Sequence, residues 1–102
     1  MAVFALTLVH GASWDGDRPR REQAQWDEHA QFMDALVADG FVVLGGPIGD
    51  GSDVLLIVDA ADDAEVRTRL APDPWLVAGI LAIDSLRPWQ IWLDGRNRLG
   101  QG

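Results

Sequence analysis

An α+β fold with elements in the order β-α-β-β-α-β is predicted by three features of this 102-residue sequence. Apolar runs of strand length occur at 3–9, 41–46, 53–60 and 80–92, and a stretch of helical periodicity separates the first two. A capping-box pattern opens a second, shorter helix after the third run. Turns rich in glycine, proline and aspartate punctuate the rest. Apolar residues make up 48 % of the chain, which suits a folded domain with a core of its own. One domain is expected over 1–95, with 96–102 as a loose C-terminal tail.

The elements follow in order. VFALTLV (3–9) is a strand that is apolar almost throughout, and GASWDGDR (11–18) is a polar connection. Pro19 suits the first turn of a helix, and the helical pattern runs from there through Asp39. Trp26, His29, Met33, Leu36 and Val37 share one helix face, while Asp27, Gln31, Asp34 and Ala38 take the opposite one. Gly40 stands where a left-handed cap residue belongs. FVVLGG (41–46) is the second strand, PIGDGS a turn, and DVLLIVDA (53–60) the third strand, pairing with the second as an antiparallel hairpin. Asp62 and Glu65 have capping-box spacing, with Arg67 and Arg69 near the end of the short helix they open. Residues 80–92 supply a fourth strand, with Pro88 marking an edge or bend. This order is the ferredoxin-like one: a four-stranded antiparallel sheet with two helices on one face.

Such a sheet should alternate apolar and polar residues if its second face is wet, yet VFALTLV, FVVL and VLLIV are nearly continuous. Two helices cover only one face. A homodimer is therefore expected, in which two sheets meet face to face as a dimeric α+β barrel, with Trp89 and Trp92 at the contact or its rim.

Composition narrows the function classes. The net charge is −8, from sixteen acidic residues against eight arginines and no lysine. That field repels phosphate backbones, so nucleic acid is not an expected partner. The absence of cysteine and lysine removes thiolate and Schiff-base chemistry. The apolar N-terminus lacks the positive region of a signal peptide and reads as a buried strand, and no run is long enough to span a bilayer. A cytoplasmic protein with no membrane partner is expected.

Few segments carry chemistry. GGPIGDG (45–51) is glycine-rich but has neither the Lys-Ser/Thr of a phosphate loop nor a following helix, so it reads as a hairpin turn. Gly45 and Gly46 leave space beside the sheet for a small ligand. Neither histidine, His10 or His29, has metal-ligand spacing, so no metal is expected; nor is a cofactor, since no cofactor motif occurs. Asp73 lies between two prolines in APDPWLVAG (71–79). Pro74 pushes it into the extended backbone of an N-cap and itself takes the first helical position. Capping alone accounts for Asp73.

EHAQFMDALVADG, FVVLGGP, DPWLVAGI and IDSLRPW together resemble the YCII-related family of small dimeric α+β barrel proteins, over roughly residues 3–92. The resemblance implies that the histidine early in helix one and the Asp-Pro aspartate, here His29 and Asp73, share a pocket as an active-site pair. Gly46 and Pro47 match the family's Gly-Pro. Trp75 stands where the family has tyrosine or phenylalanine, and its larger ring would narrow the pocket. An aspartate that accepts from one imidazole nitrogen fixes the tautomer and leaves the other nitrogen to move a proton. The implied function is a cofactor-free lyase or isomerase, of dehydrohalogenase type, acting on a small organic acid in a pocket lined by Gly46, Pro47, Trp75 and Trp26. Arg87, or one of Arg18, Arg20 and Arg21, would supply a cation for an anionic substrate. The alternatives are a protein that binds a small ligand without changing it and, by fold analogy, a cofactor-independent oxygenase.

Overall fold

Strand β1 (Ala2–His10) shows the two-residue period that organises the molecule. Its Phe4, Leu6 and Leu8 are buried, while Ala5, Thr7 and Val9 between them are half-buried on the other face. The computed structural model describes residues 2–96, so all of the expected tail except Arg96 lies outside the described residues. β1 pairs antiparallel with β3 (Asp53–Ala60) on one side and with β4 (Leu81–Pro88) on the other, and β2 (Val42–Ile48) closes the far edge against β3. The sheet order is β2-β3-β1-β4, as the ferredoxin-like arrangement requires.

Helices α1 (Trp26–Ala38) and α2 (Asp63–Leu70) cover one face. Asp62 caps α2 by accepting from the Glu65 backbone N–H at 2.8 Å, and the Glu65 carboxylate reaches back to the Ala61 N–H, close to the expected capping box. Leu36 of α1 and Val66 and Leu70 of α2 pack onto Phe4, Leu6, Leu56 and Val58 of the sheet. Each such side chain contributes roughly 1.5–3 kcal/mol on leaving water. An additional one-turn helix, α3 (Pro74–Val77), precedes β4. No described helix is long and apolar enough to cross a membrane.

Three boundaries differ from the sequence expectation. α1 begins at Trp26, not at Pro19, and Arg20–Glu22 form an isolated 3-10 turn. The cause is Gln23, which is only 4 % exposed. Its side-chain amide accepts from the Asp15 N–H at 3.0 Å and donates to the Asp15 and Arg18 carbonyls at 2.7 and 2.9 Å. These bonds accompany an extended Gln23 and a left-handed Gln25 (φ 62°, ψ 27°), and a helix cannot pass through either. The left-handed state costs a non-glycine residue about 1–2 kcal/mol. β2 runs on through Pro47 to Ile48, which an edge strand permits. β4 stops at Pro88, short of Trp92, and the Trp89 N–H then donates to the Val3 carbonyl at 2.9 Å as the chain turns away.

The face away from the helices carries Leu44, Gly46 and Ile48 of β2, opposite Ile57, Leu55 and Asp53 of β3. Leu44 is 50 % exposed and Ile48 41 %. Trp89 lies over this region, closing one side of an apolar hollow of about 340 Å³.

Candidate active site

Asp73 is completely buried, and the local sequence puts it there. Its backbone N–H donates to the Leu70 carbonyl at 2.9 Å, so it follows directly from the end of α2. Pro74 begins α3, and the Asp73 carboxylate accepts from the Trp75 backbone N–H at 3.0 Å as the N-cap. The same oxygen, Oδ1, is 2.8 Å from Nδ1 of His29, forty-four positions earlier in the chain. Oδ2 is buried without a hydrogen-bond partner among the described residues. One oxygen therefore both caps α3 and holds the imidazole.

His29 sits one turn into α1, where its own N–H donates to the Gln25 carbonyl at 3.0 Å. A carboxylate only accepts, so Nδ1 carries the proton, and in the neutral imidazole Nε2 presents its lone pair. Nε2 has no hydrogen-bond partner among the described residues. The ring is further fixed by Trp75, whose indole lies parallel to it at 4.0 Å with 3° between the planes. Trp75 is itself fully buried and donates its indole N–H to the Ala24 carbonyl at 2.7 Å. Asp73 and Trp75, two residues apart, thus orient the imidazole about two different axes.

His29 lines a cavity of about 290 Å³ between α1 and the β2–β3 hairpin. Trp26, Met33 and Val37 of α1 form one wall, and Val42, Pro47 and Leu56 the other. Gly45 and Gly46 also line it. A Cβ on Gly45 would fall 2.6 Å from the tip of the Leu56 side chain, which would have to move aside, whereas one on Gly46 would meet nothing within 4 Å. GGPIGDG is a hairpin turn, with Gly49 and Gly51 at positive φ, rather than an anion cradle on a helix.

Of the residues singled out in the sequence, His29, Asp73, Trp26, Gly46 and Pro47 come together at this cavity, with Asp73 behind His29. Trp75 is not on the cavity wall; it backs the imidazole and does not narrow the space in front of it. Arg87 is elsewhere. It pairs with Ala5 on the sheet face away from the helices, and the cation lining the cavity is Arg20. Trp14 was not singled out as a site residue. It meets Trp75 edge-on at 5.9 Å and carries His10 stacked on it at 3.7 Å. Nothing in its sequence neighbourhood signals that role, which arises only when the loop after β1 folds back. Among the described residues no three His, Asp or Glu side chains gather as a metal-binding group.

Neither a family model nor a curated protein matches the chain. Among solved structures it resembles 5-chloro-2-hydroxyhydroquinone dehydrochlorinase (TftG) from Burkholderia phenoliruptrix AC1100, in complex with 2,5-dihydroxybenzoquinone. The TM-score is 0.56 at 24 % sequence identity, over 85 % of this chain and 93 % of the other. The two proteins share the small α+β fold with its four-stranded antiparallel sheet.

Proposed function

We propose that this chain is a cofactor-free proton-transfer enzyme of the YCII-related kind, a lyase that eliminates hydrogen halide from a small hydroxylated ring. The observation that carries the reading is the 2.8 Å bond from His29 Nδ1 to buried Asp73, in a histidine that lines an apolar cavity. In the keto tautomer of the bound ring the halide-bearing carbon is tetrahedral and carries a hydrogen, and His29 Nε2 takes the proton of a ring hydroxyl conjugated to that carbon. The electron pair released moves through the conjugated ring and expels the halide with its bonding electrons. The products are a quinone-type ring, a halide ion and the proton on His29, which passes to solvent before the next turnover. Asp73 holds the neutral tautomer before transfer and faces the imidazolium afterwards. The flat aromatic and apolar walls suit such a ring. Similarity of fold to a dehydrochlorinase makes a chlorinated hydroxyhydroquinone the first substrate to try.

The test is chloride release from 5-chloro-2-hydroxyhydroquinone by the wild-type protein and by His29→Gln. Turnover by the wild type and its loss in the variant, with the circular dichroism spectrum kept, is the expected result. Equal turnover by both removes His29 from the reaction, and recovery of the compound unchanged from the wild type favours a binding protein instead.

The apolar hollow under Trp89 and the exposed Leu44 and Ile48 support a second part of the proposal, a homodimer formed through the open sheet face. Light scattering at micromolar concentration is expected to give twice the 11.1 kDa chain mass. Leu44→Arg is expected to return it to monomer, and a monomeric wild type would overturn this part.

A further inference from the structure

Arg20 is a half-buried cation at the mouth of the His29 cavity, in a strongly acidic protein, with no carboxylate partner among the described residues. Arg18, Arg69 and Arg96 each pair with an aspartate (Asp15, Asp39 and Asp94), so the chain does not lack acids to spend on its arginines. The side chain is nevertheless held. Its Nη2 donates to the Gly51 carbonyl at 2.7 Å, across the tip of the β2–β3 hairpin, and its guanidinium carbon lies 5.3 Å from the Trp14 ring centre. Burial lowers its pKa from the ordinary arginine value, but arginine remains protonated throughout the physiological range. Only one of the five N–H donors of the guanidinium has a partner among the described residues.

A charge partly withdrawn from water, fixed on two sides and left without a counterion gains from a ligand that supplies one. We propose that Arg20 is the anion-binding residue of this cavity and that its ligand is a small, flat organic anion bearing a phenolate, enolate or carboxylate oxygen. The inference rests on the proton-transfer reading for its choice of cavity and deepens it by naming the substrate class. As Nε2 of His29 removes a proton, negative charge grows on the ring oxygens, and the guanidinium is the fixed positive charge in the same cavity. The remaining walls are apolar, so the imidazole and the guanidinium give the ligand its orientation. Arg20 also ties the hairpin tip to the loop after β1, so the anion site forms only when the two segments are docked.

Equilibrium binding tests this without turnover. The probes are 2,5-dihydroxybenzoquinone, which is an anion near neutral pH, and hydroquinone, a neutral ring of similar size. Binding is read by quenching of tryptophan fluorescence with correction for absorption, and checked by calorimetry. The wild type is expected to prefer the anion, and Arg20→Gln to lose about tenfold or more in anion affinity, the scale of one charge-assisted contact, while hydroquinone affinity holds. Arg20→Lys, which keeps the charge but not the planar fork, is expected to fall between. Three results overturn the inference: no preference or no binding of the anion by the wild type, equal anion affinity in Arg20→Gln, or parallel loss for both probes in a folded Arg20→Gln. A protein that binds the anion through Arg20 yet releases no chloride would sink the elimination reading and leave this one standing. Chloride release by a wild type without anion preference would do the reverse.

Discussion

The two histidines of this chain lie flat on two tryptophans that touch each other, and they differ in almost every other respect. His29 rests on Trp75 at 4.0 Å and His10 on Trp14 at 3.7 Å, both within 8° of parallel, and the two indoles meet at 89°. His29 is buried, with its Nδ1 on Asp73, whereas His10 ends β1 in solvent and has no side-chain hydrogen bond among the described residues. Stacking sets the plane of an imidazole but does not choose which nitrogen carries the proton. A carboxylate makes that choice, and among the described residues only His29 has one at hydrogen-bond distance. Both rings share the aromatic setting, and the carboxylate on Nδ1 is what sets His29 apart.

The largest effect expected from this contrast is on turnover. His29→Gln should lower kcat by at least about 100-fold, the usual contribution of a positioned general base. His10→Gln should leave it unchanged. Chloride release measured for both variants decides the matter, and equal losses would make the two histidines one functional unit.

Next comes Asp73. Its replacement by alanine removes an N-cap, at about 0.5–2 kcal/mol, and leaves the buried His29 N–H without an acceptor, at about 1–3 kcal/mol. A shift of that combined size in urea unfolding is expected, alongside a fall in kcat. Asp73→Asn retains an oxygen that can cap, so it should cost less stability. It should still lower kcat more than it changes KM, because an amide no longer selects the tautomer. If Asp73→Asn reduced stability but left kcat intact, Asp73 would be a cap and nothing more.

How much of this was legible in the sequence differs from one residue to the next. The strands announced themselves by apolar runs and Asp62 by its spacing from Glu65, because those signals are local. Asp73 as a cap was equally local, written in the proline that follows it. Its bond to His29 was not: forty-four positions separate the two, and the pairing came from likeness to a family, not from spacing. The start of α1 was misplaced because Pro19 is a sound helix-start signal, and only the fold shows Gln23 turned inward to bind the loop at Asp15 and Arg18. Arg87 and Arg20 looked equivalent as cations. Strand register sends Arg87 to the wrong face, and a hairpin tip thirty-one residues away holds Arg20 at the right one. Local signals name elements, while a site is made of contacts between them.

The smallest expected effect concerns whether His10 has a carboxylate partner of its own. One candidate is Asp50, whose carboxyl is held below the usual aspartate range. The Ser52 hydroxyl at 2.6 Å is the main cause, the Ser52 backbone N–H at 2.9 Å comes next, and the charge of His10 contributes least. A folded-state value below the unfolded one means that this carboxylate stabilises the fold above the unfolded aspartate range, and that the stabilisation is lost as pH falls through the folded value. Ser52→Ala should therefore move the Asp50 midpoint, followed by carbon-detected NMR titration, up toward the ordinary value and shrink that acid loss. His10→Gln should move it in the same direction by less. A shift from His10→Gln as large as that from Ser52→Ala would give His10 an acidic partner comparable to Asp73, and the distinction between the two stacked histidines would then rest on burial alone.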